Sequence, residues 1–169
     1  MRLRAFALLL GLLSLSATAR SQVIDLDKDR VPVTELNGPW RFHTGDYAAW
    51  SMPGFDDSGW SLVTADKPWT EQGYKGYGGT AWYRLSVLLP ARHGVLALYL
   101  PGVTDSFQIF VNGRLIGQQG ELPPHSRVVL QNRILIPIHD DLAAIGRPML
   151  LAIRAWADPH RSANARGGI

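Results

Sequence analysis

The sequence predicts an all-β fold, an antiparallel sandwich, on three observations. Apolar residues recur with a period of two rather than 3.6 through the second half of the chain. The runs are short and end at proline or glycine. Two of them are joined by Asn112-Gly113, a dipeptide that accepts positive φ and so suits the two-residue turn of a hairpin.

Taken in order, Tyr83, Leu85, Val87 and Leu89 alternate with Arg84, Ser86 and Leu88 until Pro90. Leu96, Leu98 and Leu100 form the next strand, closed by Pro101-Gly102. Phe107, Ile109 and Val111 lead into the Asn112-Gly113 turn, and the chain returns through Leu115 and Ile116. Ile134, Ile136 and Ile138 alternate again, and Met149, Leu151, Ile153 and Ala155 make the last strand. A single helical turn is expected, capped by Asp140, running from Leu142 to Ile145 and ended by Gly146. The Gly- and aromatic-rich stretch Glu71 to Thr80 reads as a long loop.

The first residues predict export. Arg2 and Arg4 precede an apolar run from Ala5 to Leu15, and Ala17-Thr18-Ala19 offers small residues for cleavage. That run is too short to span a bilayer, so residues 1–19 read as a signal peptide and the protein as secreted or periplasmic. Residues 20–157 then form the sandwich, and 158–169 a polar, Gly-ended linker or tail. Two of the three net positive charges, Arg2 and Arg4, belong to the leader, so the basic balance does not point to nucleic acid. With no cysteine, thiol catalysis, iron–sulfur clusters and thiolate zinc sites are excluded.

Catalytic constellations are missing. Gly76-Tyr77-Gly78 with Ala81 fits a loose dinucleotide fingerprint, but a strand follows it where a helix is required. The five histidines are scattered without ligand spacing, and the three glutamates, Glu35, Glu71 and Glu121, stand apart. Glycoside hydrolysis needs two carboxylates held across one bond, so this chain is not expected to be an enzyme by itself. No cofactor is expected. Asp56-Asp57 is a weaker candidate for calcium, against the plainer reading of an Asp turn that bonds its own backbone.

Binding residues are sought among the aromatics. Trp60 and Trp69 are read first as plugs for the ends of the sandwich. The glycines between Gly73 and Gly79 let backbone approach a ligand, and Tyr74 and Tyr77 would supply ring faces and hydroxyls. Tyr74, Lys75, Tyr77 and Gly78, with Trp69 beside them, are therefore the candidate ligand residues, and the partner expected is a carbohydrate or another small polar ligand.

Four elements carry a resemblance. Leu36-Asn37-Gly38 with Trp40 and Phe42 resembles an L-x-G-x-W-x-F opening, and Phe55-Asp56-Asp57-Ser58 with Trp60 an F-D-D-S-x-W element. Thr80-Ala81-Trp82-Tyr83-Arg84 is similar to a G-x-x-W-Y-R strand, and Val111-Asn112-Gly113 with Gly117 to a V-x-x-N-G-x-x-x-G hairpin. In that order, across about residues 34–156, they resemble the sugar-binding domain of family 2 glycoside hydrolases. The resemblance implies a galactose-binding-like jelly roll, with an immunoglobulin-like domain and a catalytic barrel following it in the family's enzymes. It also implies that the loop Gly73 to Gly79 faces the sugar. Gly120-Glu121-Leu122-Pro123-Pro124-His125 departs from the family's usual His- and Gly-rich turn, which points away from an enzyme's role. The Pro-Pro-His turn and the Gly-rich exit also resemble the periplasmic front domain of bacterial membrane-bound sensor kinases and phosphatases. The expectations are thus a carbohydrate-binding-like domain in front of further domains of the same chain, an extracytoplasmic ligand sensor, or a structural domain of a glycosidase.

Overall fold

The computed structural model describes residues 33–89, 94–101, 105–129, 133–143, 145–160 and 169. The expected signal peptide, residues 20–32 and most of the expected tail lie outside these. All of the strands fall within one compact unit, Glu35–Ile169. Among the described residues no helix is long and apolar enough to cross a membrane.

The strands are β1 (Trp40–Thr44), β2 (Ser61–Val63), β3 (Gly79–Leu88), β4 (Leu96–Leu100), β5 (Ser106–Val111), β6 (Arg114–Gln119), β7 (Ile134–Ile138) and β8 (Pro148–Ala157). They form two antiparallel sheets, one of six strands in the order β2-β1-β3-β8-β5-β6 and one made of β4 and β7. The all-β sandwich expectation therefore holds. The register places Phe42, Tyr83, Ile153 and Ile109 in one row across the large sheet. This row faces the core, where it meets Leu100, Ile136 and Ile138 of the small sheet. The next row, His43, Trp82, Arg154 and Gln108, is one residue out of step and faces the other way.

Part of that outer face is apolar too, which explains why β8 reads as an almost unbroken hydrophobic run, with Met149 to Ile153 all buried. It is covered by the segment between β1 and β2, where Trp50, Phe55 and Trp60 pack over Trp82 and Ala152. Trp60 thus covers a sheet face, where the sequence reading had it plugging an end of the sandwich. Short 3-10 turns occur at Ala48–Ser51 and Trp69–Glu71. Of the helical turn expected at Leu142–Ile145, Ala144 lies outside the described residues. Before it Leu142 N–H bonds His139 O and Ala143 N–H bonds Asp140 O, as successive tight turns.

The hairpin turn is as expected, with φ of 50° at Asn112 and 86° at Gly113. Asn112 also anchors the turn sideways: its amide donates to Leu142 O (3.0 Å) and its oxygen accepts from Leu150 N–H (2.9 Å). Gly117, four residues on, lies where a Cβ would sit 2.5 Å from Ile136 Cδ1, so its lack of a side chain lets β6 approach the small sheet.

Candidate ligand site

The loop Trp69 to Gly79 is built from turns. Tyr74 N–H bonds Trp69 O, and Tyr77 N–H bonds Tyr74 O. Gln72 ties it to the segment just after β2: its amide donates to Thr64 O (3.0 Å) and Lys67 O (2.7 Å) and accepts from Thr64 N–H (2.7 Å). Glycines at 73 and 76, with φ of 96° and 74°, take conformations closed to most side chains.

The structure brings the loop aromatics together but turns them inward. Trp69 is 1% exposed and donates its indole N–H to the Tyr83 hydroxyl. It is a core residue, so it leaves the set of ligand-facing residues: a buried indole has no face to offer. Tyr74 sits edge-on to Phe42 (centroids 4.6 Å apart) and Tyr77 tilts against Trp69 (5.7 Å). Both tyrosines are half-buried. The Tyr77 hydroxyl donates to Thr80 O at 2.6 Å, and burial raises its pKa. Gly78 is half-buried, while Lys75 and Gly76 are exposed at the tip. What this loop presents outward is a lysine, glycine backbone and the outer parts of two tyrosine rings.

Asp56 and Asp57 have separate partners. Asp56 Oδ1 accepts Ser58 N–H at 3.0 Å, an Asp turn, and that bond holds its carboxyl below the usual carboxylate range. Asp57 accepts Arg84 Nε at 2.6 Å. Arg84 is 3% exposed, and its other nitrogens donate to Trp50 O, Met52 O and Phe55 O. The F-D-D-S-x-W and W-Y-R elements are therefore two halves of one clasp, in which a strand arginine satisfies the carbonyls of the covering segment. Among the described residues no group of three or more His, Asp or Glu is placed to hold a metal.

A second polar cluster, which the sequence reading did not single out, lies on the outer face of the large sheet. Asp46 accepts from Arg154 Nε (2.8 Å), from Arg154 Nη2 and from Trp82 Nε1 (3.2 Å). Arg154 Nη1 donates to Gln108 Oε1 at 3.0 Å. Phe110 is half-buried and stacks on Trp82 with centroids 5.5 Å apart. Asp46, Trp82, Phe110 and Arg154, with Ala48 and Ser51, border an open depression of about 210 Å³. A signal for it existed: Gln108, Phe110 and Arg154 are the out-of-step partners of core residues in alternating strands.

No family model matches the chain, and no curated protein matches it. Solved structures do. A β-glucuronidase from Bacteroides uniformis is similar over 72% of this chain and 14% of its own, with 25% identity and a TM-score of 0.59. The fold is shared with family 2 glycoside hydrolases. A second B. uniformis β-glucuronidase structure is similar over 80% of this chain and 16% of its own, at 24% identity and a TM-score of 0.64. A glycosyl hydrolase family 2 member from Bacteroides cellulosilyticus is similar over 72% and 17%, at 23% identity and a TM-score of 0.59. The chain thus spans less than a fifth of the length of these enzymes. They support the glycosidase resemblance and do not bear on the resemblance to sensor domains.

Proposed function

We propose that this chain is a non-catalytic, carbohydrate-binding-like domain of an exported protein, acting beside further domains of the same parent chain. The observation that carries the reading is the sandwich fold it shares with a small part of family 2 glycoside hydrolases. Its ligand is a carbohydrate or similar small polar molecule, met at the tip of the Gly73–Gly79 loop. There Lys75 offers three N–H donors and the glycines offer close backbone approach. Tyr74 and Tyr77 contribute ring edges and shape more than stacking faces, because their inner sides rest on Phe42 and Trp69. Affinity for one sugar ring is expected in the millimolar to micromolar range. Residues 1–19 act as the export signal, which places the domain outside the cytoplasm.

A glycan array probed with the full chain, beside Lys75→Ala, tests this. The exposed Lys75 supports no core packing, so the variant should keep its melting temperature and lose glycan signal several-fold. Absence of any glycan signal, or equal signal from the variant, removes the loop as the site.

A further inference from the structure

We propose a second carbohydrate site on the outer face of the large sheet, in the depression lined by Asp46, Ala48, Ser51, Trp82, Phe110 and Arg154, selective for a neutral pyranose. It does not depend on the loop reading, which concerns another part of the fold and other residues.

The polar groups are prearranged. The Asp46–Arg154 pair is held at both ends, by Trp82 Nε1 on the carboxylate and by Gln108 on the guanidinium. A carboxylate has about four lone-pair sites and a guanidinium five N–H donors. Three bonds fall on Asp46 and three leave Arg154, so one acceptor position and two donors remain side by side. Asp46 and Arg154 retain 41% and 22% side-chain exposure, so a ligand can reach these groups without the pair breaking. Adjacent acceptor and donor is the pattern a vicinal diol matches, one hydroxyl donating to the carboxylate while its neighbour accepts from the guanidinium.

Beside them stands an apolar wall. Phe110 is half-buried and braced from behind by Trp82, which is 1% exposed, so the part of its ring left open is positioned to receive the C–H face of a sugar. Gln108, which holds Arg154, is itself linked to Gln118 by a long amide contact of 3.4 Å. About 210 Å³ is below the usual range of drug-sized pockets, which suits one ring rather than an oligosaccharide.

Charge sets the selectivity. Asp46 neutralises Arg154, and among the described residues no second cation borders the depression. A uronate carboxylate placed there would meet Asp46 as a like charge, whereas neutral hydroxyls meet no repulsion. The site therefore distinguishes methyl pyranosides from methyl glucuronide, which carry the same ring and differ in one substituent.

The test is a ¹H–¹⁵N titration of the full chain with the methyl β-pyranosides of glucose and galactose, methyl α-mannopyranoside and methyl β-glucuronide. The Trp82 indole N–H bonds Asp46 directly and reports on this site, while the Trp69 indole N–H, bonded to Tyr83 beside the loop, reports on the other. At least one neutral glycoside should shift Trp82 at millimolar concentration and leave Trp69 still, with glucuronide at least several-fold weaker. Asp46→Asn should reverse the order, weakening the neutral sugar about fivefold and strengthening glucuronide, because Arg154 is then uncompensated. Phe110→Leu, which keeps most of the packing volume, should weaken the neutral sugar several-fold. No shift of Trp82 with any neutral glycoside, or glucuronide binding as tightly as they do, overturns the proposal. A shift confined to Trp69 would uphold the loop and overturn this site.

Discussion

Tyr83 is 0% exposed at the centre of the core-facing row of the large sheet, and its hydroxyl accepts the Trp69 indole N–H. Burial disfavours the phenolate and raises its pKa well above the ordinary 10, with Tyr77 raised in the same direction by its own burial. In the unfolded chain these groups ionise near pH 10, while in the folded protein they stay protonated. The folded state then binds more protons than the unfolded one above that pH, so stability must fall as pH rises. The stability these tyrosines confer is complete below about pH 10 and should decline above it by up to ~1.4 kcal/mol per pH unit for Tyr83. Urea midpoints at pH 8, 9.5 and 11 test this: the first two should agree to within the small tyrosine contribution and the third should be clearly lower. Tyr83→Phe should flatten the alkaline decline, at the cost of the Trp69 bond. The sequence placed Tyr83 on an inward face by alternation. It was silent on Trp69 as the partner, since nothing in a one-dimensional pattern brings residue 69 to residue 83.

Between elements, the clasp centred on Arg84 joins β3 to the segment that covers the outer face. Asp57, Trp50 O, Met52 O and Phe55 O all converge on one guanidinium with 3% exposure. Its ring neighbours Phe55 and Trp60 lie 5.6 and 5.9 Å from the charge. Arg84→Ala would strand three carbonyls and leave Asp57, 26% exposed, without its partner, with an expected loss of about 2–4 kcal/mol, toward the lower end for a buried pair. Lysine would not rescue it, because an ammonium cannot present the planar fork that reaches several carbonyls together. Denaturant unfolding of Arg84→Ala and Arg84→Lys checks this, and a loss under 1 kcal/mol in either would refute it. The same clasp explains what was legible. The four sequence elements build the fold: Gly38 fits against Thr64 Cα, Arg84 holds the Phe55–Trp60 segment, and Gly113 leaves room for Met52. They therefore pointed to the sandwich, which is what their packing roles determine. β2 went unread because three residues show no period. The Asp46 cluster was hidden because it joins residues 108 positions apart.

For the molecule as a whole, likeness to glycosidases raises the question of hydrolysis. The enzymes it resembles are several times longer, with this chain spanning 14% to 17% of the first three. Hydrolysis requires an acid and a second carboxylate about 5–10 Å apart across the bond, with a surround that keeps the acid protonated. Glu35, Glu71 and Glu121 are all exposed, so no apolar wall encloses any of them. Glu35 accepts the Asn37 amide at 3.0 Å, Glu71 ends a 3-10 turn, and Glu121 forms a bridge with Arg127 on a separate loop. Of the aspartates, Asp57 and Asp46 are paired with arginines and Asp56 with its own turn. The full chain should therefore release no nitrophenol from aryl β-glucuronide or aryl β-galactoside above the buffer rate, at any pH from 4 to 8. The measurement has a built-in control, because a trace of contaminating glycosidase is insensitive to mutation of this protein. Turnover that persists through purification and disappears in Glu71→Gln or Glu121→Gln would show that an exposed loop carboxylate acts as the acid. Turnover unchanged in both variants would be assigned to the contaminant.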